Sequence, residues 1–346
     1  MPDLPALAHL GGQLATGLRD VTTDLSAASS GGWWAVVMTY EGGTLCARFD
    51  QVRPAPGPGG SWAGPAPGRW RSSLDRSGYL RAVATVREHI AAGTVYQVNV
   101  CRVLRAAMPD PGRADIAGLA ALLARHNPAP YGGFVRLPAG AHPALPDAVA
   151  VASASPELFL RRVGPVVHSA PIKGTGRTAG DLTDKDRAEN VMIVDLVRND
   201  LGMVCRPGSV SVPDLLVVEP HPGLVQLVST VRGELQTDTD WPELVAATFP
   251  PGSVTGAPKS TAMQVIRQLE PGGRGPYCGA VGWLEGDRGE LAVGIRTFWL
   301  EGDELCFGTG AGITWGSDAE REWAETELKA HRLLRAAAGT WQAERP

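Results

Sequence analysis

The chain has 346 residues, 44% of them hydrophobic and 20% charged, and a net charge of -4. That length can bury a sizeable core, as one large domain or two intimate ones. The charge argues against a nucleic-acid binder, and no apolar run reaches the ~18 residues that cross a bilayer.

The first residues, MPDLPALAHLGGQLATGLRD, lack the basic flank and continuous apolar stretch of a signal peptide. Cysteines 46, 101, 205, 278 and 306 are scattered, with no CxxC pair. This predicts reduced thiols in the cytoplasm and no structural zinc site.

In chain order, residues 33–40 (WWAVVMTY) read as a buried strand, with 44–49 as a hairpin partner. Residues 51–70 are rich in Pro and Gly, a loop that separates a short strand-containing segment, 1–70, from a main domain, 71–346. Residues 77–92 carry Leu80, Val83, Val86 and Ile90 at helical spacing. Residues 94–104 alternate as a strand with Gln97 and Asn99 on one face. Two readings stand: the amides are buried against partners, or the strand is an edge with both in water.

Lysine occurs only at 173, 185, 259 and 329, against 32 Lys+Arg in total. In so arginine-rich a chain, Lys173 inside the Gly/Thr turn PIKGTG suggests that an amine is required. Arginine carries charge but cannot act as an amine nucleophile.

Residues 183–201 read as a helix with Thr183 as N-cap and Asp186 near the capping-box position. Asp186 and Glu189, three apart, share a face. Residues 318–334 read as another helix, with Glu322, Glu325 and Lys329 on one face. These are either two solvated, salt-bridging surfaces or carboxylates aimed at one hard cation. Without His or Cys companions, such a set suits Mg²⁺ better than zinc.

Residues 251–259 (PGSVTGAPK) form a small-residue loop into a helix but lack the Gly-Lys-Ser/Thr core of a nucleotide loop. Residues 307–313 (FGTGAGI) are a second glycine stretch, whose N–H groups can approach a ligand. With Arg296 they predict a site for a small carboxylate-bearing molecule. Strands with short turns outnumber strand–helix alternation, which favours a mixed α+β fold.

The runs SASPELF, PIKGTGRT, DRAENVMIVDLVRNDLG, FPPGSVTGAPK, YCGAVGW, GIRT, GTGAGI and EREWAETELKA closely resemble the chorismate-binding enzymes, in family order, from about residue 77 to 334. The resemblance implies an anthranilate synthase component I-like fold, with mixed or antiparallel sheets in a sandwich core flanked by helices. It also implies a Mg²⁺ cofactor and chorismate as substrate. Lys173 stands where anthranilate synthases carry alanine and aminodeoxychorismate synthases carry lysine. Gln97 stands where isochorismate and salicylate synthases carry a catalytic lysine.

The branch so implied aminates chorismate to 4-amino-4-deoxychorismate through a Lys173 adduct, on the route to p-aminobenzoate and folate. The alternatives are an anthranilate synthase-like or other chorismate-converting enzyme, or a non-catalytic chorismate-binding subunit.

By the same resemblance, Glu157 is the general acid, and Glu189 and Glu325 bind Mg²⁺ with Glu322 and Asp186 behind them. Arg296, Tyr277, Gly310 and Lys329 hold the pyruvyl carboxylate. Gly174, Thr175, Ser253 and Gly312 line the ring, with Gln226, Gln97 and Asn99 as further substrate contacts. The family usually has histidine at Gln226 and often tyrosine at Trp283, and its tryptophan pocket does not map onto residues 1–76. No cysteine sits in a glutaminase-type elbow, so ammonia is expected from a glutamine amidotransferase subunit.

Overall fold

The computed structural model describes residues 4–221 and 224–339. Eighteen strands join in one hydrogen-bonded sheet, and every strand pairing is antiparallel. The α+β expectation is met, with one continuous sheet in place of separate ones.

Among the described residues six α-helices pack on it: α1 (Arg76–Ala91), α2 (Ile116–His126), α3 (Asp184–Gly202), α4 (Trp241–Thr248), α5 (Lys259–Leu269) and α6 (Ala319–Ala337). No helix among the described residues is long and apolar enough to cross a membrane.

Capping residues set the helix starts. Asp75 accepts a hydrogen bond from Gly78 N at α1, and Asp318 accepts one from Arg321 N at α6. At α3, Thr183 and Asp186 complete a reciprocal capping box, satisfying two otherwise orphaned backbone donors. The buried face of α3 carries Ile193, Val194, Val197 and Leu201, and lies against the strand Leu224–Glu234.

The hairpin Trp33–Met38 and Thr44–Pro54 forms as the apolar run and its return suggest. Both strands lie inside the common sheet: Trp33–Met38 pairs onward with Ala280–Glu285. The strand Gln97–Ala107 is no edge. It pairs with Glu304–Ile313 along one side and with Gly256–Ala257 and Arg71–Ser72 on the other. Gln97 and Asn99 are accordingly buried.

Followed through its pairings, the sheet runs from Gln97–Ala107, flanked by the short strands Arg71–Ser72 and Gly256–Ala257, at one end to Leu224–Glu234, flanked by Ile172–Gly176 and Ser211–His221, at the other. It curls so that these ends meet. An ideal Cβ built on Gly312, paired with Asn99 at the first end, would stand 3.4 Å from Lys173 Nζ of the last.

Two glycine segments expected as turns or loops are strands. Lys173 lies in the strand Ile172–Gly176, and residues 307–313 lie in Glu304–Ile313. In the second, the glycines clear space for neighbouring side chains: Gly308 for the Tyr277 ring, Gly310 for Cys101 Sγ and Gly312 for the Gln97 amide. Sequence alone cannot separate a glycine that frees the backbone from one that makes room for a side chain across the sheet.

Candidate active site

Lys173 owes its direction to a bulge. The register of Ile172–Gly176 against Leu224–Glu234 shifts between Ile172 and Thr175, and Gly174 takes φ +79°. An extra residue in a strand re-aims the side chains around it. Lys173 Nζ donates to the carbonyl of Ser253 at 3.2 Å. Thr175 pairs through its backbone with Gln226, and its side chain lies outside the described part of the structure.

Glu157 follows the strand Val149–Ser155 in a tight connection. Its N–H bonds Ser155 Oγ at 3.2 Å, and its carbonyl accepts from Val293 N at 3.0 Å. The carboxyl is buried, and burial lifts its pKa to about 7 against the opposing effects of the Ser253 hydroxyl and Lys173. Near neutrality such a group is part protonated, as a general acid must be.

The loop bearing Ser253 is braced on both flanks. Lys259 Nζ reaches Asp200 Oδ2 at 2.6 Å and the Thr248 carbonyl at 2.8 Å. Arg274, fully buried, bonds the carbonyls of Val254 and Asn99, each at 2.8 Å, and both oxygens of Glu270. It also stands over the Tyr40 ring at 4.3 Å. The only signal of this brace in the sequence was the scarcity of lysine, since Arg274 lies beyond the end of α5 and outside any helix face.

Gln97 faces Gly312, and among the described residues neither atom of its buried amide has a hydrogen-bond partner; the buried Gln226 Oε1 has none among them either. Unpaired buried amides are costly and signal a ligand or water site. The Asn99 amide is committed elsewhere, donating to Cys101 Sγ at 3.0 Å.

The carboxylates of α3 and α6 converge. Lys185 Nζ lies 3.2 Å from Glu322 Oε1 and 3.6 Å from Glu189 Oε1, the latter a buried oxygen that accepts no hydrogen bond. Burial, then the neighbouring Glu322 and Asp186, raise the pKa of Glu189 against the pull of Lys173 and Lys185. At Glu325 burial is outweighed by Lys329, 2.6 Å away, which holds the carboxyl below its ordinary value. Lys329 Nζ also donates to the Gly310 carbonyl at 3.1 Å.

Asp186 spends one oxygen on the capping box and packs against Gly174. Lys185 was not expected here. Its i,i+4 spacing to Glu189 was visible, but the bridge to α6 is purely tertiary. Among the described residues no three His, Cys, Asp or Glu side chains gather in a metal-holding cluster. The donors that do converge are all oxygens, and one is orphaned, which fits a hard divalent cation.

Arg296 and Tyr277 stand apart from the Lys173 group, and among the described residues neither hydrogen-bonds to Lys173, Glu157 or Ser253. Arg296 has φ +52° at the junction before the strand Thr297–Glu301, and its carbonyl accepts from Ala154 N. No carboxylate among the described residues pairs with it. Burial, with Arg332 nearby, lowers its pKa. Tyr277 is buried with its hydroxyl 3.8 Å from Cys101 Sγ. Trp283, at the position where tyrosine was expected, stacks on Trp33 at 6.4 Å.

The arrangement offers an amine with a part-protonated carboxyl and an unpaired amide beside it, and the carboxylates of α3 and α6 near the same amine. Aminodeoxychorismate synthase component 1 of Klebsiella aerogenes is 38% identical over 279 residues, covering 77% of this chain and 59% of the relative. Anthranilate synthase component 1 of Saccharolobus solfataricus is 38% identical over 275 residues, covering 75% and 62%. The chain thus spans about three-fifths of the length of these relatives. The menaquinone-specific isochorismate synthase of Escherichia coli shares the fold, with a TM-score of 0.79 at 20% identity over 97% of this chain and 89% of that one. Residues 44–335 match the model of the chorismate binding enzymes, and the chain belongs to that family.

Proposed function

We propose that the chain is an aminodeoxychorismate synthase of the component I type, converting chorismate and ammonia to 4-amino-4-deoxychorismate. The observation that carries this reading is Lys173, aimed by its bulge at a space bordered by Glu157, Ser253 and Gln97. The equal identity to an anthranilate synthase supports the second reading, amination at C2 of the same substrate.

In the first reading Glu157 gives its proton to the C4 hydroxyl, which leaves as water while the Lys173 amine bonds C2 and the two conjugated ring double bonds shift. Ammonia then bonds C4, both double bonds return, and the C2–N bond breaks to release Lys173 as the free amine. The proton shed by the entering ammonia restores Glu157. Splitting one difficult displacement into two easier ones is the gain from the covalent route. Ser253, Gly312 and Gln97 orient the ring, and Arg296 with Lys329 takes the pyruvyl carboxylate.

Glu189 and Glu325 would hold Mg²⁺; Glu322, which the resemblance sets behind them, shares Lys185 with Glu189 and would join them, with Asp186 behind. The ion would draw charge from the ring carboxylate. Ammonia would come from a glutamine amidotransferase subunit, and the product would serve p-aminobenzoate and folate synthesis.

The test is product mass analysis with chorismate, Mg²⁺ and excess ammonium. It is joined to intact-protein mass of the wild type and Lys173→Ala. The reading expects aminodeoxychorismate, and an adduct on the wild type that the variant cannot form. Anthranilate as product would select the second reading. Full activity in Lys173→Ala would remove the covalent role.

A further inference from the structure

Lys185 is a cation placed where the proposed reading needs one. It is half exposed on the first turn of α3, yet it reaches across to Glu322 of α6, whose side chain is only 4% exposed. It also stands by Glu189 on its own helix at 3.6 Å. The groups facing it are carboxylates from both helices: Glu189, Glu322 and, more distantly, Glu325. The other lysines of the area are engaged elsewhere: Lys329 with Glu325 and the Gly310 carbonyl, Lys173 with the Ser253 carbonyl. Two carboxylates on separate helices, brought together with no cation between them, would repel across a partly desolvated gap.

We infer that Lys185 is an internal counterion that holds α3 and α6 together in the metal-free protein and is displaced when a divalent cation takes the same oxygens. The inference rests on the proposed reading that these glutamates bind Mg²⁺. A lysine suits the task. Its flexible stem lets a half-exposed ammonium swing to water, where a planar arginine fork would bind the carboxylates more rigidly. The consequence is a site assembled before metal arrives, at some loss of metal affinity, because each binding event must first part Lys185 from Glu322 and Glu189. Lys185 is on this account a positioning residue.

The experiment is calorimetric titration of Mg²⁺ into the wild type, Lys185→Gln and Lys185→Arg without substrate. It is paired with thermal denaturation in chelator and in saturating Mg²⁺. Lys185→Gln should bind Mg²⁺ about fivefold to tenfold more tightly, the scale of one or two half-exposed ion pairs lost by the competitor. It should also melt lower than the wild type in chelator, with the gap closing in Mg²⁺. Lys185→Arg should bind no more tightly than the wild type.

Unchanged or weaker affinity in Lys185→Gln, with the wild type binding normally, overturns the inference while leaving the metal reading intact. No Mg²⁺ binding by any of the three proteins overturns both.

Discussion

Replacing Glu157 by glutamine keeps the shape of the side chain and removes its charge, so the pH dependence of the effect isolates the electrostatics. Glu157 is 4% exposed, and burial raises its pKa from an ordinary 4.5 to about 7. In the unfolded chain the carboxyl titrates in water. Between these two values the native protein therefore holds a proton that the unfolded chain has already released. Wild-type stability from this group is fully present below the unfolded pKa and falls as pH rises through the folded one. A shift of that size corresponds to about 3 kcal/mol, fully expressed only above the folded pKa.

The assay is urea denaturation of both proteins at steps across this window. Relative to the wild type, Glu157→Gln should gain about 3 kcal/mol between the acid and alkaline ends, on top of a pH-independent offset from packing. Its turnover of chorismate should be lost throughout, since an amide cannot supply the proton. The wild type should lose kcat/KM as pH rises past neutrality. A stability difference flat with pH would refute the reasoning, because it would mean that Glu157 is charged or neutral alike in both states.

Three further outcomes follow from the same geometry. Gly312→Ala places a Cβ 2.5 Å from Gln97 Nε2 and 3.4 Å from Lys173 Nζ. The displaced groups are side-chain ends, so the fold should survive with a small change in melting temperature while turnover drops about tenfold to a hundredfold. Arg274→Met leaves the Glu270 carboxylate buried without its partner and two carbonyls without a donor. It should cost about 3–5 kcal/mol in chemical denaturation, and a loss below 1 kcal/mol would remove the bracing role. Arg296→Gln should raise the KM for chorismate about tenfold or more with a smaller effect on kcat, as expected for a lost charged hydrogen bond to a carboxylate; an unchanged KM would place the pyruvyl group elsewhere.

Local signals in the chain specified local structure. Thr183 and Asp186 at the start of α3 and Asp318 at the start of α6 mark their helices, because a cap is a short-range hydrogen bond between residues three apart. The apolar run at residues 33–40 and the return at 44–49 marked a hairpin, since its two strands are joined by a short turn. The residue types of the candidate site, a rare lysine and helix faces bearing carboxylates, were also legible, as was the α+β class.

What only the tertiary structure decided is which of these residues meet. Gln97 read equally well as an edge residue, but its backbone pairs with Ala257 and its amide lies against Gly312, some two hundred residues along the chain. The glycines of Glu304–Ile313 looked like a loop; they lie in a strand, where they make room for Tyr277, Cys101 and Gln97. Lys185 bridges to Glu322, and Arg274 ties the Ser253 loop to Asn99, through contacts with no short-range signature. Caps and alternation are settled within a few residues. Curling the sheet until its two ends share one space depends on register and twist accumulated over eighteen strands, which no local window of sequence contains.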